Sequence, residues 1–200
     1  MERVAFYIDG FNLYFGLLEK NADLKWLDVR SLCEKYLQPN QEIVSCKYFT
    51  ARINNDQQKQ QRQNTYLEAL ETTEIDIIYG KYHTRAQTCR RCNNTWPKHE
   101  EKMTDVNIAV TMLTDAMSNA YDTAILISAD SDLVPPVRAL RNNFSDKKVI
   151  ALFPPDRNSY ELKNAANHTL YLGRSRIKKS QFATTVVSNS GFNLTKPGSW

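Results

Sequence analysis

Acidic side chains stand at the ends of apolar runs of this chain. Asp9 directly follows the first apolar run, residues 3–8, and Asp130 and Asp132 follow a later one. Asp105 begins a stretch in which apolar residues recur every three or four positions, so we expect its carboxylate on the apolar face of a helix. A carboxylate directed toward a core needs a partner or a cation.

Four carboxylates gathered at one edge of a fold would repel one another and raise each other's pKa unless a divalent cation neutralised them. Mg²⁺ and Mn²⁺ prefer oxygen ligands and commonly use a few carboxylates together with phosphate oxygens of the substrate. The pattern therefore predicts phosphoryl transfer to water, in which the metal polarises the phosphate and supplies or orients a hydroxide. Asn12 and Ser128 are expected to position the phosphate or a metal-bound water.

Each of these acids also has a purely structural interpretation. Asp9 and Gly10 form a common turn pair, and Asp105 could stabilise a helix N-terminus through the macrodipole. Asp130 and Asp132 could cap the helix predicted to follow them. Their joint placement after two buried strands and at the head of an apolar helix face favours a shared site.

The elements that must position these residues alternate between strands and helices. Predicted strands cover residues 3–8, 43–50, 75–79, 123–128, 148–153 and 168–172, and predicted helices cover 28–37, 56–70, 105–120 and 135–142. Such alternation indicates βαβ crossovers and a mostly parallel sheet covered on both faces. The predicted fold class is α/β, and ligand sites in such sheets lie beyond the carboxyl ends of the strands.

The size and composition indicate one packed domain. The chain has 200 residues, of which 42% are hydrophobic and 24% charged, and its formal net charge of +4 is too small for a binder driven by charge alone. No apolar run approaches the roughly 18 residues of a membrane span, and residues 1–3 lead straight into the first predicted strand. We expect a cytoplasmic protein without a membrane partner, with its main domain at 1–173 and a basic segment and tail at 174–200.

A polar insert at 81–101 interrupts the alternation and carries Cys89 and Cys92 at the C-x2-C spacing of a metal knuckle. With His83 and His99 it offers the ligands of a structural Zn²⁺ site of the Cys2His2 type, although its spacing is not that of a standard finger. The cysteine pair with fewer histidines, or a surface loop with two free thiols, are the alternatives.

Three blocks of this sequence resemble the motifs of the NYN domain family, in the LabA-like branch of the PIN-like nuclease superfamily. They read YIDGFNLY from Tyr7, EKMTDVNIAVTML from Glu101 and LISADSDLVPPV from Leu126, in family order. Two departures are visible: Ala129 stands where a glycine is common, and Met103-Thr104 replaces a frequent Lys-Gly, which leaves Lys102 as the nearby cation.

The resemblance implies a Rossmann-like αβα sandwich whose acidic pocket binds one or two Mg²⁺ or Mn²⁺ ions and hydrolyses RNA phosphodiester bonds. Carried over, the pocket would consist of Asp9, Asp105, Asp130 and Asp132, with Asn12 and Ser128 as polar helpers. PIN-like proteins often pair, so a second copy of the chain is an expected partner.

The insert is also a candidate surface for RNA, more specifically single-stranded RNA. Arg90 and Arg91 would contact phosphates, and Trp96 could stack on a base or pack beneath the loop.

The leading hypothesis is a metal-dependent endoribonuclease, and two rivals stand beside it. A catalytically silent RNA-binding or regulatory module could use the same surface. A phosphatase of the haloacid dehalogenase type also places an aspartate after its first strand, but it needs a second carboxylate two residues later, where this chain has Phe11.

Overall fold

The computed structural model describes residues 1–19, 21–54 and 56–198, and for His99 it describes the backbone only. Strands run over Glu2–Asp9 (β1), Gln41–Thr50 (β2), Asp76–Tyr79 (β3), Lys81–Thr88 (β4), Thr95–Lys102 (β5), Thr123–Ile127 (β6), Lys148–Phe153 (β7), His168–Tyr171 (β8), Thr185–Val187 (β9) and Asn193–Thr195 (β10). Helices run over Gly10–Leu13 (α1), Val29–Glu34 (α2), Gln57–Glu71 (α3), Thr104–Met117 (α4), Val134–Asn143 (α5), Tyr160–Ala165 (α6) and Arg174–Lys178 (α7).

Six strands form one parallel sheet in the order β3-β2-β1-β6-β7-β8. All six strands predicted from the apolar runs are present, and the α/β prediction is confirmed. Helices cover both faces of the sheet, which gives the expected Rossmann-like sandwich. The chain leaves β1 toward β2 on one side and later places β6 on the other side, so the sheet has a switch point between β1 and β6.

The alternation of side chains along β1 separates two core layers. Phe6 and Ile8 pack in the layer formed with α2 and α3, whereas Tyr7 packs in the layer formed with α4, α5 and α6. Because Asp9 follows Tyr7 by two residues, its side chain is directed to the α4 face of the sheet.

The predicted helices α2 to α5 all form, with ends that differ by a few residues. Asp28 and Asp56 cap α2 and α3 by accepting a hydrogen bond from the backbone N–H three residues later. On α4 the predicted apolar face is confirmed, since Ile108, Met112 and Ala116 are buried.

The polar insert predicted at 81–101 forms, together with Lys102, an antiparallel β-hairpin of β4 and β5 that stands apart from the main sheet. Most of its side chains are exposed on both faces. The hairpin therefore lacks the alternation of buried and exposed residues by which a strand is recognised in a sequence.

Residues 174–198 pack against the body of the fold. Ile177 of α7 is fully buried and Leu194 of β10 is 8% exposed, and both belong to the core layer of α2 and α3. In the described residues there is no helix whose length and apolar character would suffice to cross a membrane.

Candidate active site

The carboxyl ends of β1 and β6 bring the first and third motif blocks together. Ile8 pairs with Ile127 in adjacent parallel strands, so Asp9 and Ser128 leave the sheet side by side. Ser128 Oγ donates a hydrogen bond of 2.9 Å to Asp9 Oδ2 and accepts one of 3.0 Å from the backbone N–H of Asp130. The two predicted acids on these strands are thus joined through Ser128.

Asn12 also connects the end of β1 with the loop that follows β6. Its backbone N–H donates to Asp9 Oδ1 at 2.9 Å, and its side-chain Oδ1 accepts from the backbone N–H of Ala129 at 3.1 Å. Asn12 and Ser128 are both buried, and their contacts orient Asp9 and the loop of Asp130. The predicted helper residues therefore lie at the site, and their contacts within the protein give them a positioning role.

Helix α4 places the second motif block at the same edge of the sheet. Asp105 is the second residue of α4 and is half-buried, and its carboxyl group interacts electrostatically with those of Asp9, Asp130 and Asp132. Asp130 accepts a hydrogen bond from the backbone N–H of Asp132 at 2.9 Å, which caps the short turn Ser131–Leu133, and Asp132 is exposed. The structure thus gathers the four predicted aspartates at one edge, with Asp132 outermost.

Burial and mutual repulsion disfavour the charged forms of the aspartates in this cluster. Burial raises the pKa of Asp9 to about 6 against the hydrogen bonds from Asn12 and Ser128, and the neighbouring Asp130 contributes to the increase. Burial, followed by repulsion from Asp9 and Asp130, raises the pKa of Asp105 to about 7. No lysine or arginine in residues 1–19, 21–54 and 56–198 forms an ion pair with any of the four.

Glu101 is a fifth acid at this site, which the sequence reasoning missed. Its Oε1 accepts hydrogen bonds from the backbone N–H of Thr104 at 2.9 Å and from the Thr104 hydroxyl, and its charge raises the pKa of both Asp9 and Asp105. Gly80 lies against this pair, because a Cβ there would lie 2.6 Å from the Lys102 carbonyl oxygen, 2.7 Å from Thr104 Oγ1 and 3.1 Å from Glu101 Oε1. The place of Glu101 four residues before the first residue of the helix predicted at 105–120 was the available signal.

The donor set suits a hard divalent cation, since it consists of carboxylate oxygens with uncompensated charge. Among the described residues, however, no three His, Cys, Asp or Glu side chains lie in an arrangement that could hold a metal ion. The acids therefore form one electrostatic site without a preformed coordination shell.

The predicted RNA-contacting residues lie along the β4–β5 hairpin. Arg90 and Arg91 are exposed at its tip, and Trp96 is 43% exposed on β5 rather than packed beneath a loop. Lys102, predicted as the cation nearest the acids, lies 3.5 Å from Glu100, so part of its charge is neutralised within the hairpin. Contact of these residues with RNA stays a prediction.

Of the four predicted zinc ligands, His83 lies away from the cysteine pair. Cys89 and Cys92 lie together in the turn of the hairpin, where backbone N–H groups of Arg91 and Cys92 lower the pKa of the Cys89 thiol. His83 lies six residues along β4 from Cys89, a separation of about 20 Å in a strand, which is too far to join the cysteine pair. The prediction of a Cys2His2 site that includes His83 is therefore wrong. The side chain of His99 lies outside the described residues, and zinc binding by the cysteine pair stays a prediction.

Comparison with known proteins agrees with the motif blocks. The family model of the NYN domain matches residues 3–173. A curated protein of Pseudomonas putida, named 6-hydroxy-3-succinoylpyridine 3-monooxygenase HspA, is 30% identical over an alignment that covers 99% of this chain and 75% of that protein.

A solved structure has the same fold. A protein of unknown function from Vibrio parahaemolyticus aligns with a TM-score of 0.60 and 22% identity, over 86% of this chain and 94% of its own. At that identity the likeness shows the fold alone. The family assignment rests on the domain match, which spans all three motif blocks and the acids they bring to one edge of the sheet, and by it the chain belongs to the NYN domain family of the PIN-like nuclease superfamily.

Proposed function

We propose that this protein is a metal-dependent endoribonuclease that hydrolyses phosphodiester bonds at the edge of the sheet between β1 and β6. One observation carries the proposal: four aspartates from three distant parts of the chain share a site without any ion pair in the described structure. A protein that merely bound RNA would gain nothing from this charge, because carboxylates repel phosphates. Membership of the PIN-like nuclease superfamily supports the same activity.

Asp9 and Asp130 would hold Mg²⁺ or Mn²⁺ directly, and Asp105 and Asp132 would hold it directly or through water. When bound, such a cation polarises the phosphate and lowers the pKa of a water molecule. Asn12 and Ser128 keep the Asp9 carboxylate oriented through their hydrogen bonds. The exposed Arg90, Arg91 and Trp96, together with Lys102, supply a further surface for the RNA.

The proposal is tested by incubating the purified chain with labelled single-stranded RNA and DNA in the presence of Mg²⁺, Mn²⁺ or a chelator. We expect internal cleavage of RNA that requires the divalent ion. Asp9→Asn and Asp130→Asn should each lower the rate by roughly 100-fold or more, because each removes charge that would hold the cation. RNA affinity measured in chelator should be retained.

Asp156→Asn is the matched control. It makes the same chemical change at a side chain that is 72% exposed and paired with Arg174, and asparagine tolerates the positive φ of this position. Its cleavage rate should equal that of the wild type. Binding of RNA without cleavage under any divalent ion would instead support the silent module. Oxygen-dependent consumption of 6-hydroxy-3-succinoylpyridine without nucleic-acid cleavage would support the activity in the Pseudomonas putida relative's name.

A further inference from the structure

A cleft of about 440 Å³ opens beside the acid cluster, on the α3 side of the sheet edge. It begins at Gly10, the residue next to Asp9, and reaches the first turns of α3. Tyr48 connects the two places, because its hydroxyl borders Gly10 and its pKa is raised by burial and by the charge of Asp9. The volume lies in the range of pockets that enclose small organic groups.

Aromatic rings form most of the apolar wall of this cleft. Six rings line it: Phe11, Tyr14, Phe15, Tyr48, Tyr66 and Tyr82. Phe11 and Phe15 are stacked with their centroids 6.3 Å apart, and Phe15, which is 45% exposed, presents its ring to solvent. Faces of this kind attract planar groups such as nucleobases, and they do so with little sequence preference.

Cationic groups form the polar wall. Lys25 is 6% exposed and lines the cleft, and within the described residues its ammonium forms neither an ion pair nor a hydrogen bond. Its ammonium lies over the ring of Tyr14, whose centroid is 5.4 Å from Nζ. The side chain of Lys25 is packed within the fold and borders the cleft without a carboxylate partner among the described residues, so it offers a positive charge to an anionic group that enters the cleft.

Helix α3 adds two further cations. Lys59 and Arg62 line the cleft one turn apart, and Glu19 is the only carboxylate among the described residues that line it. Lys59 lies 3.7 Å from Asp56 in an exposed pair, which is weak, and Arg62 forms no ion pair with a described residue. The cleft is therefore positive and aromatic, directly beside a site that is negative.

We propose that this cleft binds one nucleotide of a single-stranded RNA, with the base against the aromatic rings and its phosphate on Lys25 and Arg62, next to the phosphodiester bond at the acid cluster. The inference rests on the proposed function, because it assigns the substrate's adjacent nucleotide to a subsite. The subsite also agrees with the predicted single-stranded substrate, since a base held in a duplex is stacked and paired and cannot enter a cleft.

The test uses the full chain carrying Asp9→Asn, in chelator, so that binding is measured without chemistry. A labelled single-stranded oligoribonucleotide is titrated by fluorescence anisotropy, and an RNA duplex of the same sequence is the second probe. Adding Lys25→Met should weaken single-strand binding at least fivefold, and adding Arg62→Gln at least twofold. The duplex should bind less tightly, and neither variant should change its affinity.

Lys148→Met is the matched control. It removes one positive charge from an exposed lysine at the first residue of β7, on the opposite edge of the sheet from the acids, and should leave the affinity unchanged. Circular dichroism verifies that each variant is folded. If Lys25→Met does not fold, Arg62→Gln still tests the inference. Unchanged single-strand affinity in the folded variants would overturn the inference.

The two proposals fail separately. Cleavage by the wild type with Mg²⁺, combined with an unchanged KM in Lys25→Met, would overturn the subsite and leave the nuclease standing. Loss of RNA affinity in Lys25→Met, combined with no cleavage by the wild type, would keep the subsite and overturn the nuclease.

Discussion

Asp9 is a buried carboxylate whose hydrogen bonds and burial change its pKa in opposite directions. It is 3% exposed, and each of its carboxylate oxygens accepts one hydrogen bond, from the Asn12 N–H and the Ser128 hydroxyl. These bonds favour the charged form, yet burial outweighs them and the pKa rises to about 6. Without a cation, the folded protein therefore holds this carboxylate at a cost in stability at neutral pH.

Asp9→Asn should stabilise the metal-free protein at high pH. The pKa of Asp9 is about 6 when folded against an ordinary value of 3.8, so the folded state binds more protons between these values and stability falls as pH rises through that window. At pH 8 the variant should gain up to about 3 kcal/mol of unfolding free energy over the wild type, and at pH 3.5 nothing. Urea denaturation in chelator at both pH values measures this difference.

Added Mg²⁺ gives the complementary result. It should raise the unfolding free energy of the wild type at pH 8 and that of Asp9→Asn much less, because binding to the folded state alone stabilises it. In chelator, the unfolding free energy of Asp9→Asn could instead exceed that of the wild type by the same amount at pH 8 and at pH 3.5. The substitution would then act through packing rather than through charge.

The site's residues could be predicted from the sequence to different degrees. The four aspartates were accessible because parallel strands end at a common edge, which fixes where the residues after each apolar run must lie. Glu101 and Lys25 were not, since one lies on a hairpin strand without apolar alternation and the other is a lysine buried only by the packing of distant residues.

At the scale of elements, the junction between β1 and α1 determines where Asp9 points. The chain turns from strand to helix at Gly10, which lies against the side chain of Tyr48 and the backbone of β2. A Cβ at Gly10 would lie 2.7 Å from the Tyr48 hydroxyl and 2.8 Å from the Phe49 carbonyl oxygen. Glycine is needed here for close approach of the backbone, which the Asp-Gly pair in the sequence had suggested only as a turn.

Gly10→Ala should destabilise the fold and disturb the site together. The backbone of β2 cannot give way cheaply, so we expect a loss of about 1–3 kcal/mol in unfolding free energy. Gly173→Ala is the control, because a Cβ there would come no closer than 4.0 Å to the Tyr36 hydroxyl. Chemical denaturation of both variants measures the unfolding free energy. Equal values for the two variants would mean that β1 and β2 move apart at Gly10 without a loss of stability.

The β4–β5 hairpin shows where prediction from local pattern ends. Its strands pair along their whole length, yet their side chains meet solvent on both faces, so the sequence has the polarity of a loop. The central strands β1, β6 and β7 lie between two layers of helices and are mostly buried, which is why their apolar runs predicted them with nearly the observed bounds.

At the scale of the whole molecule, the segment beyond the NYN match completes one core layer. The match ends at residue 173, but Trp26 donates a hydrogen bond of 2.7 Å to the Ala183 carbonyl and packs against Phe182 at 5.5 Å between centroids. The tail is rich in Ser, Thr and Asn and has few apolar residues. The few apolar residues spaced through it are enough to fix it on the α2 and α3 face.

This packing makes the tail a contributor to the stability of the nuclease fold. Ile177→Ala removes a fully buried side chain and should lower the unfolding free energy by about 2–5 kcal/mol. Phe192→Ala truncates a ring in the same segment that is 72% exposed, and should change it by less than about 0.5 kcal/mol. Urea denaturation followed by circular dichroism compares the two. If both variants unfolded with the wild type, the tail would lie on the surface without supporting the segment of Lys25 and helix α3, which carries Arg62.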